Sequence, residues 1–398
     1  MTQPARHFQT LIIGAGTAGI SVAARLCRKY KKRSVGIVDP AAKHYYQPMW
    51  TLVGAGVRRK EVTERDQASV LPTGATWIQD SVMSFLPEEN AVTTSSGERL
   101  TYDHLVVAPG IQIDWQKVEG LAGKVGSNGL CSNYSYETVD STWECIKSFA
   151  GGTAVFTHPN TPIKCGGAPQ KIMYLAADYW RKHPPKSKYE IIFCIATPKI
   201  FAVPRYAATL LEVVERYGIE VRYQHDLSWV DAENKKAVFK CLESGRDTAL
   251  SYEMMHVTPP MSAPDFVKSS PLANSAGWVD VDQHTLQHLR FGNVFGIGDA
   301  SSLPTSKTGA AIRKQAPVLV ENLSAMIEER PLPGRYDGYT SCPLVTGYGK
   351  LVMAEFDYGG NSAETFPFDQ SKERRSMFWV KKHLLPYLYW DGMLKGRA

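Results

Sequence analysis

Near its start the chain reads Leu11-Ile12-Ile13-Gly14-Ala15-Gly16-Thr17-Ala18-Gly19, and this stretch limits the possible folds more than any other. An apolar run followed by a G-x-G-x-x-G turn predicts a strand, a tight turn and a helix, with glycines where backbone N–H groups approach a pyrophosphate. Residues 9–14 are expected as a buried strand, 17–30 as a helix and 34–39 as the next strand, ending in Asp39. That acid lies about 20 residues past the last glycine, the spacing that holds a ribose hydroxyl. Alone, the glycine pattern is a weak sign. With a strand before it, a helix after it and an acid at the second strand's end, it makes Gly14, Gly16, Thr17, Ala18, Gly19 and Asp39 nucleotide-site candidates.

Two later segments choose the nucleotide. Leu105-Val106-Val107-Ala108-Pro109-Gly110 predicts a strand ending in a tight turn, and Val294-Phe295-Gly296-Ile297-Gly298-Asp299 predicts another, ahead of a helix over 309–327. A strand that ends in Gly298-Asp299 before a helix can set a carboxylate on a flavin's ribityl chain, with helix N–H groups on the pyrophosphate. An NAD-only enzyme has no need of this late return to the first domain. FAD is therefore the expected cofactor.

Between these segments the α/β alternation starts again, with strands expected at 153–157, 189–195 and 219–223 and helices from 168 and over 205–217. Its first turn lacks the glycine pattern. It holds two prolines, Asn160 and Thr161, and then Cys165 at the helix entrance, while the strand through Ile195 ends without an acid for an NADH ribose. The second nucleotide site is unequipped, and its turn is given over to sulfur chemistry. The expected fold is α/β, with two Rossmann-like dinucleotide-binding domains plus a C-terminal membrane-associating region. Residues 1–115 and 290–330 form the FAD-binding domain, 116–289 a second domain without a nucleotide fingerprint, and 331–398 a quinone and membrane region.

Composition removes other classes. A net charge of +6 without an Arg-rich run or repeated aromatic platform gives no nucleic-acid signature. Seven scattered cysteines with no C-x-x-C pair indicate neither a zinc site nor a thioredoxin-type motif, so no metal is expected. Cys27, Cys145, Cys194 and Cys241 fall in helical or strand patterns and are expected in the core. No apolar stretch approaches the ~18 residues of a spanning helix. The first strand begins too early to leave room for a secretory signal. A peripheral, monotopic membrane protein on the cytoplasmic face is expected, with homo-oligomerisation left open.

Four longer motifs carry a resemblance. They are His44-Tyr45-Tyr46-Gln47-Pro48-Met49-Trp50-Thr51-Leu52-Val53-Gly54-Ala55-Gly56, Asn160 through Lys171, Pro304-Thr305-Ser306-Lys307-Thr308, and Tyr336 through Gly347. With these the chain resembles the sulfide:quinone oxidoreductases of the flavin disulfide-reductase superfamily, in the branch that includes the mitochondrial enzymes, essentially from residue 9 onward. The resemblance implies FAD on the first glycine turn and a redox pair at Cys165 and Cys342. It also implies Gln47 at the flavin's ribose-phosphate side and Val82 at its adenine. Hydrogen sulfide, a membrane quinone and a small-molecule sulfur acceptor become the expected partners. Some members of the wider family carry a third cysteine near Cys131, which is kept as a sulfur-shuttling candidate beside its reading as a loop cysteine.

The chemistry suits these residues. Sulfide attacking a disulfide or sulfur-bridged pair leaves one cysteine as persulfide and the other as thiolate. The nucleophile must be a thiolate, so its pKa should fall below the free value of ~8.5. Cys165 opens a helix running to about 182, whose dipole contributes ~0.3–1 kcal/mol toward a thiolate. Lys164 and Lys171 add positive potential. Cys342 lies in a Gly/Tyr/Ser-rich stretch before Pro343 and is expected in a presenting loop. Lys307 is a candidate for the flavin edge that becomes negative on reduction. His158 is a candidate proton carrier, and His44 has no assigned role.

The tail from Ser371 mixes bulky apolar and basic residues. Phe378, Trp379, Leu384, Leu385, Tyr389 and Trp390 are expected at a membrane interface, with Arg374, Arg375, Lys381 and Lys382 toward anionic lipid and Pro386 dividing the helix. Phe356, Tyr358, Phe366 and Phe368 are candidate quinone-pocket walls. Two other functions compete: an NADH:quinone oxidoreductase of the same fold, and a non-catalytic flavin-bound persulfide sensor.

Overall fold

A computed structural model describes residues 6–398. The first sheet has the parallel strands Ala75–Ile78, Val35–Val38, Arg6–Ile13 and Arg99–Val107 side by side. The far flank of Arg99–Val107 is shared. Ala91–Thr94 pairs antiparallel with its N-terminal half, and Val294–Gly296 pairs parallel with its C-terminal half. This second pairing brings the late segment home, so that a Cβ on Gly298 would lie 3.2 Å from Ala18 Cβ.

The first turn shows why its glycines are needed. Gly14 has φ +97°, and a Cβ there would lie 2.4 Å from Ala108 O; one on Gly19 would come within 1.9 Å of Gly14 O. The helix Thr17–Lys29 can therefore press onto the strand only without those side chains. Gly16 differs, because a Cβ there meets no protein atom within 4 Å.

The second sheet is also parallel, in the order Leu130–Cys131, Met254–His256, Gly152–His158, Tyr189–Ile195, Ile219–Tyr223. The helices Ala168–Lys182 and Pro204–Tyr217 cover it, and a separate three-stranded antiparallel sheet over 225–251 packs beside it. The first of these helices is buried over most of its surface, including Lys171.

The C-terminal region departs from the sequence reading at three points. Cys342 lies in a strand, Thr340–Gly347, not in a loop. That strand forms a hairpin with Lys350–Phe356 around a turn at Tyr348-Gly349, where Gly349 takes φ +82°. Pro343 is tolerated because a two-stranded ribbon leaves one edge of each strand unpaired. Secondly, Pro386 does not divide the tail. The turns from Arg375 to Lys395 run on through it, with π-helical turns at Val380–Leu384 and Leu388–Gly392 on either side. Such turns shift the carbonyl partners and need no N–H at the proline.

Thirdly, Tyr389 and Trp390, expected at a membrane, are 3% and 5% exposed. The tail folds back on the first domain, and Tyr389 packs on Tyr46 at 4.5 Å between ring centroids. Burying such rings against protein removes as much water-exposed apolar surface as burying them in lipid. Trp379, Leu384 and Tyr387 remain exposed at 58%, 44% and 65%, while Phe378 and Leu385 are half-buried. No described helix is long and apolar enough to cross a membrane.

Candidate active site

Cys165 sits between the C-terminal end of the Gly152–His158 strand and the Ala168–Lys182 helix. Its backbone is left-handed at φ +59°, a conformation that costs about 1–3 kcal/mol for a side-chain-bearing residue. Two hydrogen bonds hold it there: its N–H donates to Lys307 O at 2.8 Å, and its carbonyl accepts from Ala168 N at 2.8 Å. Cys342 reaches the same place from the hairpin and is fully buried. Gly167 makes the approach feasible, since a Cβ there would lie 2.3 Å from Leu344 Cδ2 and 3.7 Å from Cys342 Cβ. The two thiols, both free, are in hydrogen-bonding contact.

Their surroundings make them unequal. The Cys342 thiol hydrogen-bonds to the Cys165 sulfur, and the Lys171 ammonium donates to that sulfur at 3.1 Å. With the Lys381 charge nearby, these hold the Cys165 thiol well below its ordinary value despite burial. The Cys342 thiol is pushed far up by the same contact and by burial. Lys381 was assigned to lipid from the sequence, but it is buried, and its Nζ donates to Pro48 O at 3.1 Å. Burial, helped by Lys171, pushes its ammonium down to about 7, while Cys165 and Cys342 act in the opposite direction.

A second group of charges adjoins the pair. Lys164 Nζ donates to Gln47 Oε1 at 2.8 Å and to Tyr134 O at 2.9 Å, and lies over the Trp50 ring. Lys307 Nζ donates to Asp299 O at 2.6 Å and Ser301 O at 3.1 Å, 3.9 Å from the Trp278 ring centroid. Burial lowers both ammonium groups to about 8, opposed by the Asp299 charge. Asp299 is itself pushed up by burial. At the glycine turn, Asp39 accepts from Ala15 N at 2.6 Å and Ala41 N at 2.8 Å. Val82 is buried in its strand, and Gly110 forms a left-handed turn beside open space.

The structure also gives His44 a place. Its Nδ1 lies 3.2 Å from Ala15 O and its Nε2 2.5 Å from the Tyr389 hydroxyl, which in turn lies 2.9 Å from Thr17 Oγ1. Burial lowers the imidazole to about 4, so it stays neutral while it ties the tail to the glycine turn. His158 is likewise lowered by burial, with Nδ1 3.1 Å from Pro159 O.

Other candidates do not join this cluster. Cys131 lies in a strand, fully buried, with its thiol directed to Met255 O at 3.6 Å and in contact with Cys145 rather than Cys165. The four aromatic residues expected around a quinone fall into separate packings. Phe356 meets Phe201, Tyr358 meets Tyr336, and Phe366 stacks with Phe368.

Residues 8–140 match the family model described as pyridine nucleotide-disulphide oxidoreductase. The mitochondrial sulfide:quinone oxidoreductase of Mus musculus is 48% identical over 98% of this chain and 87% of its own length. The Dictyostelium discoideum mitochondrial enzyme is 47% identical over 97% of this chain and 86% of its own. The chain belongs to the sulfide:quinone oxidoreductase family. In fold it resembles the crystal structure of the Aquifex aeolicus enzyme, with a TM-score of 0.83 and 18% identity over 99% of this chain and 93% of that one.

Members of this family are FAD-dependent flavoproteins, and the residues at the glycine turn fit that cofactor. The Thr17–Lys29 helix has no side-chain cap, so its first N–H groups face the space left open at Gly16. Uncapped N–H groups and the helix dipole suit a pyrophosphate, and a carboxylate at the end of the second strand, here Asp39, is of the type that suits a ribose.

The lysines give a test of the thiolate. Removing a neighbouring cation takes away stabilisation of the anion, so Lys171→Met should raise the Cys165 pKa and cut its thiolate fraction below the titration midpoint. The pH dependence of Cys165 alkylation is expected to shift upward by about one unit or more, a tenfold loss of reactivity at fixed acid pH. Lys381→Met is expected to shift it the same way, by less. An unchanged profile in both variants would contradict this account of the site.

Proposed function

We propose that this flavoenzyme oxidises hydrogen sulfide at the Cys165–Cys342 pair and delivers two electrons to a membrane quinone. The reading rests above all on one observation: two thiols 177 positions apart in sequence (342 − 165) meet beside buried lysines and the Asp299–Lys307 segment. FAD, when bound, supplies a two-electron acceptor for the pair and a donor to quinone.

The asymmetry of the thiols assigns the order of events. With the pair oxidised to a disulfide, hydrosulfide attacks one sulfur and displaces the other as thiolate. The better leaving group is the thiol of lower pKa. Cys165, held by Lys171 and Lys381, therefore leaves as thiolate, while Cys342 takes the incoming sulfur as a persulfide. The S–S bond of the pair breaks, a new S–S bond forms on Cys342, and the displaced pair of electrons stays on Cys165. A small nucleophilic acceptor then removes the outer sulfur from Cys342. Neither an NADH-dependent nor a non-catalytic reading is favoured beside the family relatives.

We also infer attachment to the surface of a membrane. Exposed Trp379, Leu384 and Tyr387 lie on the same tail as Arg375 and Lys382, an apolar patch with basic neighbours that suits a headgroup interface.

Anaerobic turnover with sulfide and a soluble quinone tests the chemistry. Cys165→Ser and Cys342→Ser are each expected to lose activity by about a hundredfold or more while retaining FAD. Turnover surviving in either variant would refute the paired mechanism. Co-sedimentation with anionic vesicles tests the attachment. The double change Trp379→Ser, Tyr387→Ser should weaken binding severalfold and leave soluble-quinone turnover intact; equal binding would remove the tail from the interface.

A further inference from the structure

At the opposite end of the second sheet a cavity of about 570 Å³ opens beside the N-terminal ends of its strands. Gly152 and Met254, the first residues of Gly152–His158 and Met254–His256, line it. Cys165 follows the other end of that strand, about 20 Å away at ~3.3 Å per residue. Cys145, Glu144, Lys235 and Glu253 also line the cavity. The volume lies in the range of small-molecule sites, about 300–1,000 Å³.

Two thiols stand one behind the other here. Cys145, on the Val139–Ser148 helix, is half-buried and faces the cavity. Cys131, on the strand beneath that helix, is fully buried and in contact with the Cys145 thiol. The Cys145 thiol is held below its ordinary value by the hydrogen bond from Cys131, against burial and the Glu144 charge, with a smaller help from the Lys235 charge. Cys131, sealed from solvent, is pushed well above its own. An accessible thiol of thiolate character with a second thiol directly behind it is the arrangement in which one sulfur receives and the other resolves. Lys235 also lines the wall, paired with Glu253 at 2.6 Å, so the cavity carries both signs of charge around the Cys145 thiol.

We propose that Cys145 and Cys131 form a second dithiol site, distinct from the catalytic pair, that accepts zero-valent sulfur from inorganic polysulfide entering this cavity. The Cys145 thiolate attacks a terminal S–S bond of the polysulfide, forming a persulfide on Cys145 and releasing a polysulfide shorter by one sulfur. Cys131, giving up its proton, then attacks the inner sulfur of that persulfide and displaces hydrosulfide. The net result is a Cys131–Cys145 disulfide, with polysulfide as the oxidant and hydrosulfide as the reduced product. The site would thus report the accumulation of oxidised sulfur. Only that biological source of polysulfide rests on the function proposed above.

The disulfide would tie the Val139–Ser148 helix to the strand beneath it. This helix packs on the segment that carries Gln47, since a Cβ on Gly54 would lie 3.3 Å from Thr142 Cβ and one on Gly56 2.5 Å from the Trp143 ring. The site is therefore mechanically joined to the flavin side of the molecule.

Peptide mapping of the FAD-loaded protein after brief anaerobic treatment with sodium polysulfide tests this directly, because it needs no turnover. The wild type should give a Cys131–Cys145 linked peptide. Cys131→Ser should instead keep an added sulfur on Cys145, and Cys145→Ser should lose modification at Cys131 at least tenfold. Adding polysulfide to Cys165→Ser separates the two readings, since this linkage should persist there when the catalytic pair cannot form. Free Cys131 and Cys145 in treated wild type, or modification of Cys131 at the wild-type rate without Cys145, would overturn the proposal.

Discussion

A thiolate buried in protein is unfavourable unless cations and hydrogen-bond donors replace the water it has lost. The site is organised around meeting that requirement at Cys165. One donor is the partner thiol of Cys342, a second is the Lys171 ammonium in the first turn of the following helix, and Lys381 in the tail adds a second positive charge. These groups come from the Ala168–Lys182 helix, the C-terminal hairpin and the helical tail. The proposed catalytic centre is complete only when all three have docked. The left-handed backbone at Cys165 belongs to the same arrangement, since bonds to Lys307 and Ala168 keep it in a conformation it would otherwise leave.

The parts of this arrangement that depend on local sterics were legible in the sequence. The Gly14–Gly19 turn is recognisable because Gly14 and Gly19 each answer a contact a few residues away or across one strand, while Gly16 leaves open space. Cys165 was legible for a similar reason: a thiol stands where a second glycine turn should be, ahead of an amphipathic helix, with Lys171 on that helix. Asp299 followed from its strand, whose pairing with Arg99–Val107 returns it to the first domain.

What was misread depends on which surface a residue meets. Lys381, Tyr389 and Trp390 form part of an apolar and basic helix, and such a pattern fits a lipid interface and a protein interface equally well. The tail in fact divides, with Trp379, Leu384 and Tyr387 outward and Lys381, Tyr389 and Trp390 inward. Cys342 was placed in a loop because Gly, Ser and Tyr around it are turn-rich, yet the pairing with Lys350–Phe356 overrides that composition. Nor does sequence spacing bring Cys131 to Cys145; only the packing of a helix on a strand does.

The central claim is that Cys165 and Cys342 are one redox unit. Peptide mapping of the purified protein, alkylated and digested without reductant, tests it most directly. The account predicts a peptide in which Cys165 and Cys342 are joined, directly or through an added sulfur. Cys165 found joined to any other cysteine, or both residues alkylated after exposure to excess quinone, would contradict it.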